Sequence, residues 1–201
     1  MTARVEFLFD FGSPNAYLSH KVIPGIEART GARFEYTPVL LGGIFKATGN
    51  KSPVEAFGHI KNKLAYEGLE TQRFVKKHAI ADYQMNPFFP VNTLQLMRMA
   101  IAAQNEGILP RYMDAVFHHM WVAPKKMDDA EVVRAALAES GLDPALLDRA
   151  QAGEVKARLI ANTESAVTRG AFGIPTFFVD GAIYFGKDRL RDVEEAIVAA
   201  K

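Results

Sequence analysis

The chain has 201 residues, 49% hydrophobic and 23% charged, with a net charge of +1, the composition of an ordinary globular protein long enough for one good core. The near-neutral balance implies no broad basic surface for nucleic acid, and no apolar run approaches the roughly 20 residues that cross a bilayer. The chain has no cysteine, which excludes disulfides, a cysteine nucleophile, Cys-ligated zinc and iron–sulfur clusters. Any sulfur chemistry must use a thiol carried by a ligand. The N-terminus enters a strand without the basic-then-apolar pattern of a signal peptide, so a cytosolic location is expected.

Arg4 to Phe11 is largely apolar and aromatic and reads as a buried strand closing on the turn Asp10-Phe-Gly12. Ser13 is a good N-cap and Pro14 suits the first helical position, so a helix runs from Pro14 to Thr30 with Gly31 as its C′ residue. Pro24 inside it predicts a kink or early break near Ile23. Ala32 to Leu41 reads as a second strand, which completes a βαβ unit with parallel strands. At such a strand-to-helix junction, unpaired N–H groups and the positive end of the helix dipole meet, and an anion such as a thiolate is stabilised there. On this reading alone Ser13 serves either as a cap or as a ligand-binding group.

The stretch Gly42 to Pro53 has the glycines and lysine of a phosphate loop but not its spacing. Five residues separate Gly43 from Gly49, and Asn50 intervenes before Lys51. Asp10-Phe-Gly12 copies a kinase tripeptide without an ATP-binding lobe ahead of it, a coincidence. Residues 54–170 read as helical: one or two helices from Val54 to Lys77, an irregular connection over 81–91, then helices over Thr93–Glu106 and Leu109–Val122. Asp128-x-x-Glu131 reads as a capping box for the next helix, which Gly141 closes. Asp143-Pro144 opens a short helix ending at Gly153, and Glu154–Arg169 forms the last, closed by Gly170. Strand chemistry returns in Pro175 to Phe185, a hairpin about Asp180-Gly181, after which Asp188 is placed to cap a helix over Arg189–Ala200.

The expected order is therefore βαβ, helical block, ββα, an α/β chain with residues 1–53 and 171–201 forming one domain and 54–170 an inserted helical subdomain. His59, His78, His118 and His119 lack metal-ligand spacing, and His20 reads as a surface residue. Phe88, Phe89 and Trp121 either line an aromatic pocket or pack in the core. Asn92 is either a helix cap or a substrate contact. Arg98, Lys125 and Lys126 read as parts of solvated faces.

The order, with Gly173-Ile-Pro-Thr176 ahead of the hairpin and Ser13-Pro-Asn-Ala16 at the helix start, resembles the thioredoxin fold with a helical insertion. More narrowly, the chain resembles the DsbA-like branch that contains 2-hydroxychromene-2-carboxylate isomerases and kappa-class glutathione transferases. The resemblance rests on Phe9 to Tyr17, Gly42 to Asn50, Pro90-Val-Asn-Thr93, Gly170 to Thr176 and Phe185-Gly-Lys-Asp-Arg-Leu190. It implies a glutathione site in which Ser13 bonds the sulfur and is the catalytic residue. Asn50 and Lys63 would contact the tripeptide, the backbone of Ile174 would pair with its cysteinyl part, and Lys187 and Asp188 would hold the γ-glutamyl end. Phe185 and Lys187 depart from the pattern of many relatives at their positions. Phe88 and Asn92 are the implied substrate contacts. The implied activity is glutathione-dependent isomerisation of a small aromatic substrate, with a kappa-like transferase as alternative and a redox-inactive binding protein as the second. Neither nucleic acid nor membrane is an expected partner; a homodimer is.

Overall fold

The protein is described over residues 3–200, from a computed structural model. Strand β1 (Val5–Phe9) is buried along its whole length, which explains why apolar residues fill both of its faces where a half-exposed strand would alternate. Its one acid, Glu6, is compensated: the carboxylate accepts from the Thr37 hydroxyl at 2.9 Å and pairs with Arg169 at 2.7 Å. Helix α1 (Pro14–Thr30) and strand β2 (Phe34–Pro38) complete the βαβ unit, with β2 parallel to β1. Strands β3 (Thr176–Val179) and β4 (Ala182–Phe185) form the hairpin, and β3 adds antiparallel to β1, giving the order β2-β1-β3-β4. At the hairpin tip Asp180 and Gly181 both take positive φ, 47° and 91°, the geometry whose twist matches that of the strands.

Helices α2 (Leu41–Thr48) and α3 (Pro53–Phe57) follow β2. Then come α4 (Lys63–Lys77), α5 (Leu94–Asn105), α6 (Leu109–Trp121), α7 (Ala130–Glu139), α8 (Leu146–Arg149) and α9 (Gly153–Thr168). The fold is thus thioredoxin-like, a four-stranded mixed sheet interrupted by the helical insertion α4–α9. The insertion shares the sheet's core. Phe117 of α6 packs edge-on against Phe11 at 4.8 Å between ring centres and also meets Phe9. The indole N–H of Trp121, itself fully buried, donates to the Phe11 carbonyl at 2.9 Å. Helix α9 packs on β2 and α2, and α1 packs against the C-terminal helix α10 (Leu190–Ala199). No helix among the described residues is long and apolar enough to cross a membrane.

Local expectations fail in six places. The second strand ends at Pro38, short of Leu41, and Leu41–Thr48, read as the end of a strand and a loop, is helix α2. Helix α1 runs without a break through Pro24; the missing N–H removes one bond, and the buried residues Ile23 and Ile26 hold the helix to the core on either side. The cap of α7 is Asp129, whose carboxylate accepts from the N–H groups of Glu131 and Val132, while Asp128 pairs with Lys126; the preceding turn, closed by Asp129 N–H to the Lys126 carbonyl, sets the entry one residue later. Gly153 opens α9 and does not end α8. Asp188 caps nothing: it lies in the 3₁₀ turn Lys187–Arg189 ahead of α10 and accepts from the Lys187 ammonium. His20 is half-buried, stacked on Phe117 at 5.0 Å with its ring nitrogens facing the Tyr36 hydroxyl and Asp114.

Candidate active site

The site begins with a buried carboxylate. Asp10, directly after β1, is fully buried, and its two oxygens accept from Gly12 N–H at 2.8 Å and Leu41 N–H at 2.7 Å. Burial pushes its carboxyl above the usual carboxylate range, and the bonds from Leu41, Gly12 and the Thr93 side chain oppose that shift. Asp10 therefore clamps the end of β1 to the start of α2 and to Thr93, ahead of α5. Gly12 is required by the close approach, since a Cβ there would stand 3.1 Å from Thr93 Cγ2. The kinase-like tripeptide is thus a structural clamp, and an acid set among buried phenylalanines was its available sequence signal.

The clamp presents Ser13. Its N–H donates to the Asp10 carbonyl at 3.1 Å, and its backbone is extended, at φ −95° and ψ 112°, as an N-cap requires. The hydroxyl oxygen accepts from Ala16 N–H at 3.2 Å and donates to the carbonyl of Ile174 at 3.1 Å. Pro14 has no N–H, and that of Asn15 has no protein partner among the described residues. An unfilled donor and the positive end of a 17-residue helix therefore lie beside the hydroxyl. The Ile174–Pro175 peptide bond is cis. Ile174 N–H likewise has no protein partner among the described residues.

Segment 172–175 is where most of the expected site residues meet. The Asn50 amide donates to the Phe172 carbonyl at 2.7 Å. Gly186 N–H donates to the Pro175 carbonyl at 2.9 Å, which holds Lys187 and Asp188 next to the same segment. Between them the Phe172 and Phe185 rings pack at a tilt of 46°, 4.5 Å between centres, and Gly173 lies so close that a Cβ would come within 2.8 Å of the Phe185 ring. The Lys187 side chain is buried, its ammonium 2.7 Å from Asp188 and 4.9 Å from the centre of the Phe74 ring; Asp188 is exposed.

Three expected residues make no hydrogen bond or ion pair to this segment among the described residues. Lys63 opens α4, pairs with Glu67 and lies over the Phe57 ring, contacts confined to α3 and α4. Phe88 is exposed in the turn that Asn86 organises. Asn92, one residue ahead of the N-cap Thr93, accepts from Leu94 N–H at 3.1 Å and so closes the turn into α5, while Thr93 touches the Asp10 clamp. Of the aromatic residues, Trp121 belongs to the core and Phe89 packs against it at 6.2 Å. His119 is buried and bonded to Ser140, and no group of three or more potential metal ligands occurs among the described residues.

Residues 4–198 match the DSBA-like thioredoxin domain. The chain is 31% identical to a 2-hydroxychromene-2-carboxylate isomerase of Sphingobium xenophagum, over 98% of this chain and all of that protein. It is 25% identical to glutathione S-transferase kappa 1 of Rattus norvegicus, over 92% of this chain and 87% of that one. Among solved structures, one of a 2-hydroxychromene-2-carboxylate isomerase superposes with a TM-score of 0.82 at 23% identity, covering 98% of this chain and 95% of the other. With the sheet order, the helical insertion and the sequence match in agreement, the chain belongs to the DSBA-like thioredoxin family, and within it to the 2-hydroxychromene-2-carboxylate isomerase family related to kappa-class glutathione transferases.

Proposed function

We propose that the protein is a glutathione-dependent isomerase that interconverts 2-hydroxychromene-2-carboxylate, or a close aromatic analogue, with its ring-opened trans isomer. The observation that carries this reading is the Ser13 hydroxyl at the N-cap of α1, within hydrogen-bond distance of the Ile174 carbonyl in a chain without a thiol of its own. The surroundings suit the tripeptide. Ile174 N–H is free to pair with an extended peptide as an added strand does, and Asp188 presents an exposed carboxylate to a cationic terminus.

When bound, glutathione supplies a thiolate for reversible addition to a conjugated carbon, so that a double bond becomes a rotatable single bond until the sulfur leaves. The protein's part is to favour the thiolate. A thiol of pKa near 8.5 is only a few per cent ionised at neutral pH. The dipole of α1 and the unpaired Asn15 N–H stabilise negative charge at the Ser13 position. The Ser13 proton, directed at the Ile174 carbonyl in the free protein, would turn toward the sulfur of a bound thiol, while the oxygen would keep its bond from Ala16 N–H. Ser13 is then a donor and not a nucleophile, and needs no activating base. Lys187 neutralises Asp188 in the free protein and would release it to the γ-glutamyl ammonium; Asn50 holds segment 172–175 in place.

The test is spectral. 2-Hydroxychromene-2-carboxylate should change its absorption only when enzyme and catalytic glutathione are both present, with no net loss of glutathione. Conversion without glutathione would sink the reading. Stoichiometric consumption of glutathione by an electrophilic aromatic would favour a kappa-like transferase, a reading supported by the kappa relatives. We also propose that the protein is a homodimer. Val54, Phe57, Ile60, Leu64, Tyr66 and Leu69 leave large apolar side chains exposed along α3, α4 and the turn between them, and light scattering at the monomer mass would remove that proposal.

A further inference from the structure

We infer a second ligand site, for a small aromatic carboxylate, in the cavity between α2, α5 and α9, with Arg98 as its anchor. The cavity has a volume of about 480 Å³, and Leu40, Leu94, Leu159, Ile160 and Val167 supply much of its wall, a size and character that suit a ring system of one or two fused rings. None of Ser13, Asn50, Ile174, Lys187 or Asp188 lines it, so it goes beyond the glutathione site proposed above.

Arg98 sets this cavity apart from an ordinary apolar groove. Every other arginine bonds a carboxylate, an amide or a backbone carbonyl. Arg98 alone, among the described residues, has neither a hydrogen bond nor an ion pair, although it is half-buried and reaches the cavity wall. Placing a guanidinium part-way out of water without a partner is costly, and its planar fork of donors matches a carboxylate in two parallel bonds. The wall's own polar groups make no demand on it: the Thr163 hydroxyl accepts from Leu40 N–H at 3.0 Å and donates to the Leu159 carbonyl at 2.8 Å. Lys46 and Lys156 also line the cavity, against one carboxylate, Glu164. None of these three makes an ion pair among the described residues, so the field inside favours an anion.

This ligand class overlaps that of the proposed substrate, and the experiment separates the two. Calorimetric titration with 2-naphthoate, without glutathione, should show saturable one-to-one binding to the wild type and equal binding to Ser13→Ala. Arg98→Gln should weaken it about ten-fold or more, Arg98→Lys less, and the neutral 2-naphthamide should bind weakly to both wild type and Arg98→Gln. Ala47→Phe, which fills the cavity mouth from an exposed position, should block binding without touching Arg98. Equal affinity of wild type and Arg98→Gln, or binding lost in Ser13→Ala, overturns the inference. Because no arm contains glutathione, failure of the glutathione reading leaves the test intact.

Discussion

The Ser13 hydroxyl and the Ile174 carbonyl, 161 residues apart in the chain, meet at 3.1 Å. One stands at the start of α1 and the other just ahead of β3, so the antiparallel pairing of β1 with β3 brings them together. That pairing turns a helix cap into part of a candidate site.

Cap and sulfur ligand are separable by substitution. Ser13→Ala removes both and should cost about 0.5–2 kcal/mol of stability, whereas Ser13→Gly should cost only a few tenths because glycine is tolerated at an N-cap. If the hydroxyl serves the thiol, both variants should lose the thiolate absorption seen on titration with glutathione. Retention of that band in Ser13→Gly would leave Ser13 as a cap alone.

Asp10 predicts a pH-dependent stability with a definite sign. Its carboxyl is raised in the folded state, so the native protein binds more protons than the unfolded chain across that window. Its contribution is full below the unfolded value, about 3.9, and is lost as pH rises through the folded one. Asp10→Asn leaves only one acceptor oxygen for the N–H groups of Gly12 and Leu41, and should destabilise by about 1–3 kcal/mol. The gap between wild type and variant in urea unfolding should narrow from pH 4 toward neutrality. A gap that widens means the bonds to Asp10 outweigh its burial.

Gly173→Ala tests the packing of segment 172–175. The added methyl meets the outer edge of the Phe185 ring, which is partly exposed and can swing into solvent at the loss of its packing on Phe172. The expected cost is about 1 kcal/mol, largely removed in a Phe185→Ala background. A thermal melt of the two single variants and the double variant closes the cycle.

Trp121→Phe should destabilise by about 1–3 kcal/mol, since the Phe11 carbonyl loses its buried donor. As the only tryptophan, Trp121 also reports folding of the insertion and the sheet edge together. Denaturation followed by its fluorescence should coincide with that followed by far-ultraviolet dichroism. Two separate transitions would mean that the insertion unfolds by itself.

The local elements were legible in the sequence because their causes are local. Ser13 and Pro14 start a helix and Gly31 stops it, Asp180-Gly181 turns a hairpin, and Gly107, Gly141 and Gly170 follow helix ends with positive φ. Contacts between segments distant in the chain decided the rest. Asp10 looks incidental until Leu41 and Thr93 close around it, and His20 reads as a surface residue until Phe117 covers it. Arg98 reads as part of a solvated face until α2 and α9 wall it in. Composition and periodicity report what a residue prefers against water and its near neighbours, whereas burial and the partner a charge finds depend on which distant segment arrives. The sequence by itself determined the elements other than helix α2, their order and the absence of a thiol. The tertiary structure alone decided that Ser13, Asn50, Ile174 and Asp188 gather about one segment while Lys63 pairs within its own helix.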